Sequence, residues 1–124
     1  MKKITSVLVV DSVEAQLPFW EERLGFARVA SVPHGDTLGF VILVAGGAEL
    51  MIQSRASVAA DVASVAEDAL RAYLYVEVAS LADVEARLRD WPVEVARRTT
   101  FYGAHEVGVR DPAGNFVLFS ERVG

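Results

Sequence analysis

One strand-to-helix pattern occurs twice in this chain, and the second copy follows the first at an offset of 68 residues. Val7-Leu8-Val9-Val10-Asp11-Ser12-Val13-Glu14 and Tyr75-Val76-Glu77-Val78-Ala79-Ser80-Leu81-Ala82 each carry a short β-prone stretch into a helix start. In the first copy Asp11 and Glu14 form the Asp-x-x-Glu spacing of a capping box. Val13, Leu17, Trp20 and Leu24 then recur at helical intervals until Gly25 stops them. Pro18 falls inside that pattern and removes a backbone donor, so it is expected to kink the helix or delay its regular start. The second helix opens at Ser80, with Asp83 three residues on. It sets Leu81, Val84 and Leu88 on one face and ends before Pro92.

Each helix precedes three stretches of strand. Ala27 to Val32, Leu38 to Val44 and Glu49 to Gln53 follow the first, with a Gly46-Gly47 turn before the last of them. Val93 to Ala96, His105 to Val109 and Phe116 to Ser120 follow the second. The order is therefore βαβββ, twice. His105 to Val109 and Phe116 to Ser120 flank Asp111-Pro112-Ala113-Gly114 and read as a β-hairpin. There Pro112 presets φ, Asp111 can accept from the turn's own backbone, and Gly114 tolerates the left-handed conformation. Between the two copies, Ser57 to Ala69 is alanine-rich, with Val58, Val62, Val65 and Ala69 three to four residues apart, which suits a short linker helix.

A chain of 124 residues with 52% hydrophobic content can bury a core of its own. Cysteine is absent, which removes disulfides, thiolate metal sites and a cysteine nucleophile. The basic tip Met1-Lys2-Lys3 precedes an apolar run that stops at Asp11 without a small-residue cleavage site. No apolar run approaches the roughly 18 residues of a membrane span, so a cytoplasmic location and no membrane partner are expected. A net charge of −5 argues against nucleic-acid binding and is compatible with a cationic ligand. Arg97-Arg98, the one arginine pair, reads as a solvated strand end.

The tail from Tyr102-Gly103-Ala104-His105-Glu106 through Asp111-Pro112-Ala113-Gly114-Asn115 to Val117-Leu118-Phe119 carries a resemblance to a known family. So do the opening Ile4 to Asp11 and the Phe19-Trp20 and Leu24-Gly25-Phe26 that follow it. On these residues the chain resembles the vicinal oxygen chelate superfamily, which includes glyoxalase I, bleomycin-resistance proteins and extradiol dioxygenases. The resemblance implies an α+β fold in which two βαβββ modules form an open, cup-shaped mixed sheet. Module one would cover about 1–54, a linker about 55–70, and module two about 71–124. It further implies a bacterial origin and a pocket on the concave face, often completed across a homodimer.

In the metal-dependent members of that superfamily, side chains from the first and last strand of each module converge on one divalent ion. The corresponding positions here are Thr5, Tyr73, Glu49 and Leu118, and only Glu49 is a usual ligand. A one-residue slip would offer Ser6, Leu74 and Phe119, which are no better. A first-row ion wants several nitrogen or carboxylate donors, so no metal and no cofactor are expected, and the lyase and dioxygenase chemistries stop at the fold.

The residues expected to bind a ligand are Thr5, Glu49, Met51, Tyr73, Tyr75, Tyr102 and Leu118. Met51 and Gln53 share strand parity with Glu49, as Tyr75 and Glu77 do with Tyr73. Glu49 and His105 are the candidate catalytic groups. Glu49 could act as a general base or fix a cationic ligand, or it could simply be held by a neighbouring Tyr73 or an arginine. His105 could shuttle a proton or serve as a structural rim residue, and His34 reads as an exposed turn residue. Tyr102 is expected to close over a ligand and Glu106 to order its loop. Trp20 and Trp91 are expected to pack where helix meets sheet.

Two functions are consistent with this pattern. One is metal-free binding of a small molecule, of the antibiotic-sequestering type. The other is a metal-independent isomerase or lyase acting on a small carbonyl compound, with Glu49 or His105 as base and Tyr73 or Tyr75 as acid or oxyanion donor. A regulatory dimer with a vestigial pocket is a third.

Overall fold

A computed structural model describes residues 1–68 and 71–123. Ala69, the last apolar position of the expected linker helix, lies outside the described residues, as does Leu70. The chain divides into two compact units, Met1–Leu70 and Arg71–Gly124.

Unit one contains β1 (Val7–Val10), β2 (Ala27–His34), β3 (Thr37–Ala45) and β4 (Ala48–Ser54), in the sheet order β1-β4-β3-β2. β1 runs parallel to β4, and the other pairs are antiparallel. Strand alternation separates the two faces: Leu8, Val10, Val41, Leu43, Leu50 and Ile52 are all buried, while their neighbours along each strand are not. Helices α1 (Arg55–Asp61) and α2 (Ala63–Ala66) follow β4. The expected linker is thus two short helices that belong to unit one, where Val58 of α1 is buried. Ser54 caps α1 by accepting from the Ser57 amide at 3.1 Å.

The segment expected to be the first helix folds differently. It forms a 3₁₀ turn at Glu14–Gln16 and then a π-helical stretch at Pro18–Arg23. Pro18 sits in the first turn of that stretch, where its missing amide costs nothing. The expected capping box is absent. The Asp11 carboxylate accepts from Arg55 Nε at 3.1 Å, and Glu14 accepts from the Leu38 amide at 2.8 Å, so tertiary partners take both ends of the motif. The Ser12 hydroxyl accepts from the Ala15 amide instead. Trp20 is buried as expected, Phe19 is buried beside it, and Trp20 meets Phe19 and Phe26 edge-on. His34, expected in a turn, ends β2 and lies beside it.

Unit two repeats the plan with β5 (Tyr73–Glu77), α3 (Leu81–Arg87), β6 (Val93–Thr99), β7 (Ala104–Arg110) and β8 (Phe116–Arg122), in the sheet order β5-β8-β7-β6. α3 is built as its sequence predicts. Ser80 accepts from the Asp83 amide at 3.1 Å, and Leu81, Val84 and Leu88 are buried. Glu121 adds a second cap from β8, accepting from the Leu81 amide at 2.7 Å. Trp91 meets the sheet through its indole N–H, which donates to the Arg110 carbonyl at 2.9 Å.

The hairpin turn between β7 and β8 is closed by one carboxylate. Asp111 Oδ1 accepts from the amides of Ala113 at 3.0 Å and Asn115 at 2.8 Å, and Oδ2 accepts from Asn115 Nδ2 at 3.0 Å. Gly114 adopts a φ of 89°, the left-handed conformation that completes the turn. The Asn115 side-chain oxygen then accepts from the Ala72 amide at 2.7 Å, which fixes the start of β5 against the start of β8.

Candidate functional site

In each unit the face of the sheet opposite the buried one is partly open. In unit one the ladders pair Val7 with Met51 and Val9 with Gln53 on one side of β4. On the other side they pair Ile42 with Met51 and Val44 with Glu49. Met51, Gln53 and Glu49 therefore share a face, as their parity predicts, and Thr5 lies just ahead of β1, half-buried. Glu49 is ion-paired with Lys3 rather than with a tyrosine or an arginine. Gln53 donates to the Ser57 hydroxyl at 3.0 Å.

In unit two β8 pairs Tyr73 with Phe116, Tyr75 with Leu118 and Glu77 with Ser120. Across β7 it pairs Arg110 with Phe116, Gly108 with Leu118 and Glu106 with Ser120. Tyr73, Tyr75, Leu118 and Glu106 thus lie on one face, and Leu74, Val117 and Phe119 on the other. His105 pairs with Glu121, one residue out of phase, so it lies on the face opposite Tyr73 and Tyr75. Its Nδ1 is 3.0 Å from the Thr99 hydroxyl.

The two ladders also test the four family metal positions against each other. Val7 and Tyr75 occupy equivalent places at the repeat offset, and their partners are Met51 and Leu118. One pleat further along each ladder, Tyr73 has Phe116 as its partner, and the matching place in unit one is that of Glu49. At this level Glu49 is neutralised by Lys3, and the Tyr73 ring packs edge-on against Phe116 with centroids 4.9 Å apart. Among the described residues no three His, Cys, Asp or Glu side chains come together. Glu49 thus matches Phe116 and Leu118 matches Met51, so neither level of either ladder offers a divalent ion more than one carboxylate, and that one is ion-paired.

The open face of unit two does carry a polar network centred on Glu106, whose side chain is fully buried. Its carboxylate accepts from Tyr102, from the Arg98 guanidinium at 3.1 and 3.3 Å, and from Ser120. Tyr75 in turn donates to the Ser120 hydroxyl at 2.9 Å. Burial pushes the Glu106 carboxyl upward, but its hydrogen bonds from Tyr102, Arg98 and Ser120 outweigh it and hold the group below the usual carboxylate range. The bond to Glu106, with burial and the nearby negative charge behind it, pushes the Tyr102 phenol up to about 12. Glu106 is thus an ionised acceptor with its capacity taken up, and Tyr102 is a phenol fixed in its protonated form. This pair positions groups rather than exchanging protons with a substrate.

At the start of β8, four residues along the strand from Ser120, lies an open cavity of about 360 Å³, lined by Arg71, Ala72, Tyr73, Glu94, Val95, Arg110 and Phe116. That volume suits a single substituted ring. Gly108 lets the Phe116 ring lie close over β7, because a Cβ there would come within 2.7 Å of that ring. Of the residues expected from sequence to bind a ligand, Tyr73 lines this cavity, and Tyr75 and Leu118 continue its face. Arg71, Glu94, Arg110 and Ser120 were not expected. The parity that picked out Tyr73 and Tyr75 extends to Phe116 and Ser120, but no local pattern marks Arg71.

The family model described as Glyoxalase/Bleomycin resistance protein/Dioxygenase superfamily matches residues 3–119. Among solved structures, TioX from Micromonospora sp. ML1 aligns with a TM-score of 0.83 at 16% identity, covering 99% of this chain and 100% of its own. A lactoylglutathione lyase from Agrobacterium tumefaciens aligns with a TM-score of 0.76 at 21% identity, covering 98% of this chain and 94% of its own. A glyoxalase/bleomycin resistance protein/dioxygenase from Nocardioides aligns with a TM-score of 0.73 at 20% identity, covering 96% of this chain and 82% of its own. At these identities the likeness is one of fold. Among curated proteins none matches the sequence significantly.

Proposed function

The chain belongs to the Glyoxalase/Bleomycin resistance protein/Dioxygenase superfamily, and on that premise we propose that it binds a small organic molecule without a metal ion, in the manner of an antibiotic-sequestering protein. The observation that carries this reading is the donor set. At the positions where metal-dependent members place their ligands, this chain has Thr5, Tyr73, Leu118 and a Glu49 committed to Lys3. The same face of unit two offers aromatic surface and a cavity of about 360 Å³. A largely apolar wall with a few fixed polar groups is what retains an organic ligand.

The enzymatic alternative, a metal-independent isomerase or lyase, finds its support in Tyr75, whose phenol is ordered by Ser120 on the open face. It has less behind it, because His105 lies on the opposite face from Tyr75 and Glu106 has no acceptor capacity to spare.

Elemental analysis of the purified protein, with melting curves recorded after adding nickel, zinc, manganese or iron, tests the reading directly. Metal-free protein with an unchanged melting temperature is the expected result. Near-stoichiometric metal, or a rise of several degrees with one ion, would overturn it.

A further inference from the structure

We infer that the cavity of unit two selects a ring bearing a carboxylate, so that its ligand is an aryl carboxylate rather than a cation. This rests on the binding reading above and adds the ligand's charge. The chain as a whole is acidic, but this cavity is not. Its charged groups are Arg71, Arg110 and Glu94. Arg110 is already committed: Nε donates to Glu94 at 2.9 Å, Nη1 donates to the Gly114 carbonyl at 3.0 Å, and the guanidinium lies 5.2 Å from the centre of the Phe116 ring. Arg71 is exposed at the cavity wall, and no carboxylate among the described residues pairs with it.

Arg71 lies against the turn between β7 and β8. Its guanidinium stands where a side chain at residue 114 would be, within 3.2 to 3.6 Å of a Cβ built there, and Gly114 leaves that space open. A planar guanidinium there presents paired donors that match a carboxylate. Beside it, Tyr73 is 65% exposed and meets Phe116 edge-on, forming an aromatic wall against which a ring can lie. The cavity therefore combines an uncommitted guanidinium with an aromatic wall, and a benzoate-like ligand engages both.

The test uses three probes of one shape and different charge: benzoate, benzamide and benzamidine. Each is titrated into the ¹⁵N-labelled full chain and followed by amide shifts at residues 71–73 and 116. Benzoate is expected to bind best, and Arg71→Gln to weaken it by roughly tenfold or more. Arg71→Lys should recover part of that loss, and Lys2→Gln, which removes the same charge elsewhere, should have no effect. Unchanged melting temperatures confirm that the variants are folded. Equal binding of benzamide, or benzoate binding that is indifferent to Arg71→Gln, would overturn the assignment of charge and leave the binding reading in place. Preference for benzamidine would overturn it in favour of a cationic ligand. Failure of all three probes to shift these residues would remove the cavity as a binding site altogether.

Discussion

The Tyr102 phenol, in the loop that joins β6 to β7, donates to the buried carboxylate of Glu106, four residues further along the chain. Arg98 of β6 and Ser120 of β8 reach the same carboxylate, so three separate segments meet on one charge. The bond fixes the tyrosine and holds its phenol protonated.

Because the folded-state pKa of Glu106 lies below its usual value, the carboxylate contributes stability above the ordinary carboxylate range, and that contribution is lost as pH falls through the folded pKa. Glu106→Gln should destabilise the protein by about 2 kcal/mol near neutral pH, since a neutral amide replaces a charged acceptor. Melting curves of wild type and variant should converge as pH drops below about 4. A gap that stays constant down to about pH 3 would show that the charge is not what holds the network.

Tyr102 supplies the alkaline counterpart. With its pKa raised to about 12, it stabilises the fold below the usual phenol value of about 10, and that stability is lost between about pH 10 and 12. In a spectrophotometric titration, one of the three tyrosines should ionise late. Glu106→Gln should return that transition toward about 10. Three tyrosines titrating together in the wild type would refute the pairing.

The buried Asp111 carboxylate accepts from the amides of Ala113 and Asn115 and from the Asn115 side chain, and Asp111→Ala removes those bonds. A loss of about 3 kcal/mol in urea unfolding is expected. Asp111→Asn, which keeps one acceptor, should lose less.

Gly108→Ala drives a methyl group against Phe116 and Val95, with contacts of 2.7 and 3.0 Å. It should cost about 1–3 kcal/mol and tilt the ring that walls the cavity, weakening aryl ligands as well. Adding Phe116→Leu removes the clash. The double variant should therefore be more stable than additivity predicts, as a double-mutant cycle by thermal melting would measure.

What could be read in advance divides along a physical line. Periods and caps are local, so the doubled βαβββ order, the Ser80 cap, the Asp111 turn and the shared face of Tyr73, Tyr75 and Leu118 are all visible in the sequence. Side-chain partners are not local. Asp11 and Glu14 have the spacing of a capping box, yet Arg55 and the Leu38 amide, 44 and 24 residues away, bind them more effectively than the helix start does. Lys3 reaches Glu49 across 46 residues, and Ser120 meets Tyr75 across 45. Arg71 has its place because residue 114 lacks a side chain, and an absence at one position does not announce what fills it.

Among the described residues, the first strand of each unit pairs with the last strand of that unit. β1 must wait for β4 and β5 for β8, more than forty residues later in each case. During synthesis at about 5–20 residues per second, each opening strand therefore spends seconds beside the ribosome with its hydrogen-bonding groups unmatched. In that interval Val7 to Val10 and Tyr73 to Glu77 are free to pair with strands of neighbouring nascent chains. Slowing translation through β3 or β7 should therefore increase aggregation, whereas slowing it after β4 or β8 should not.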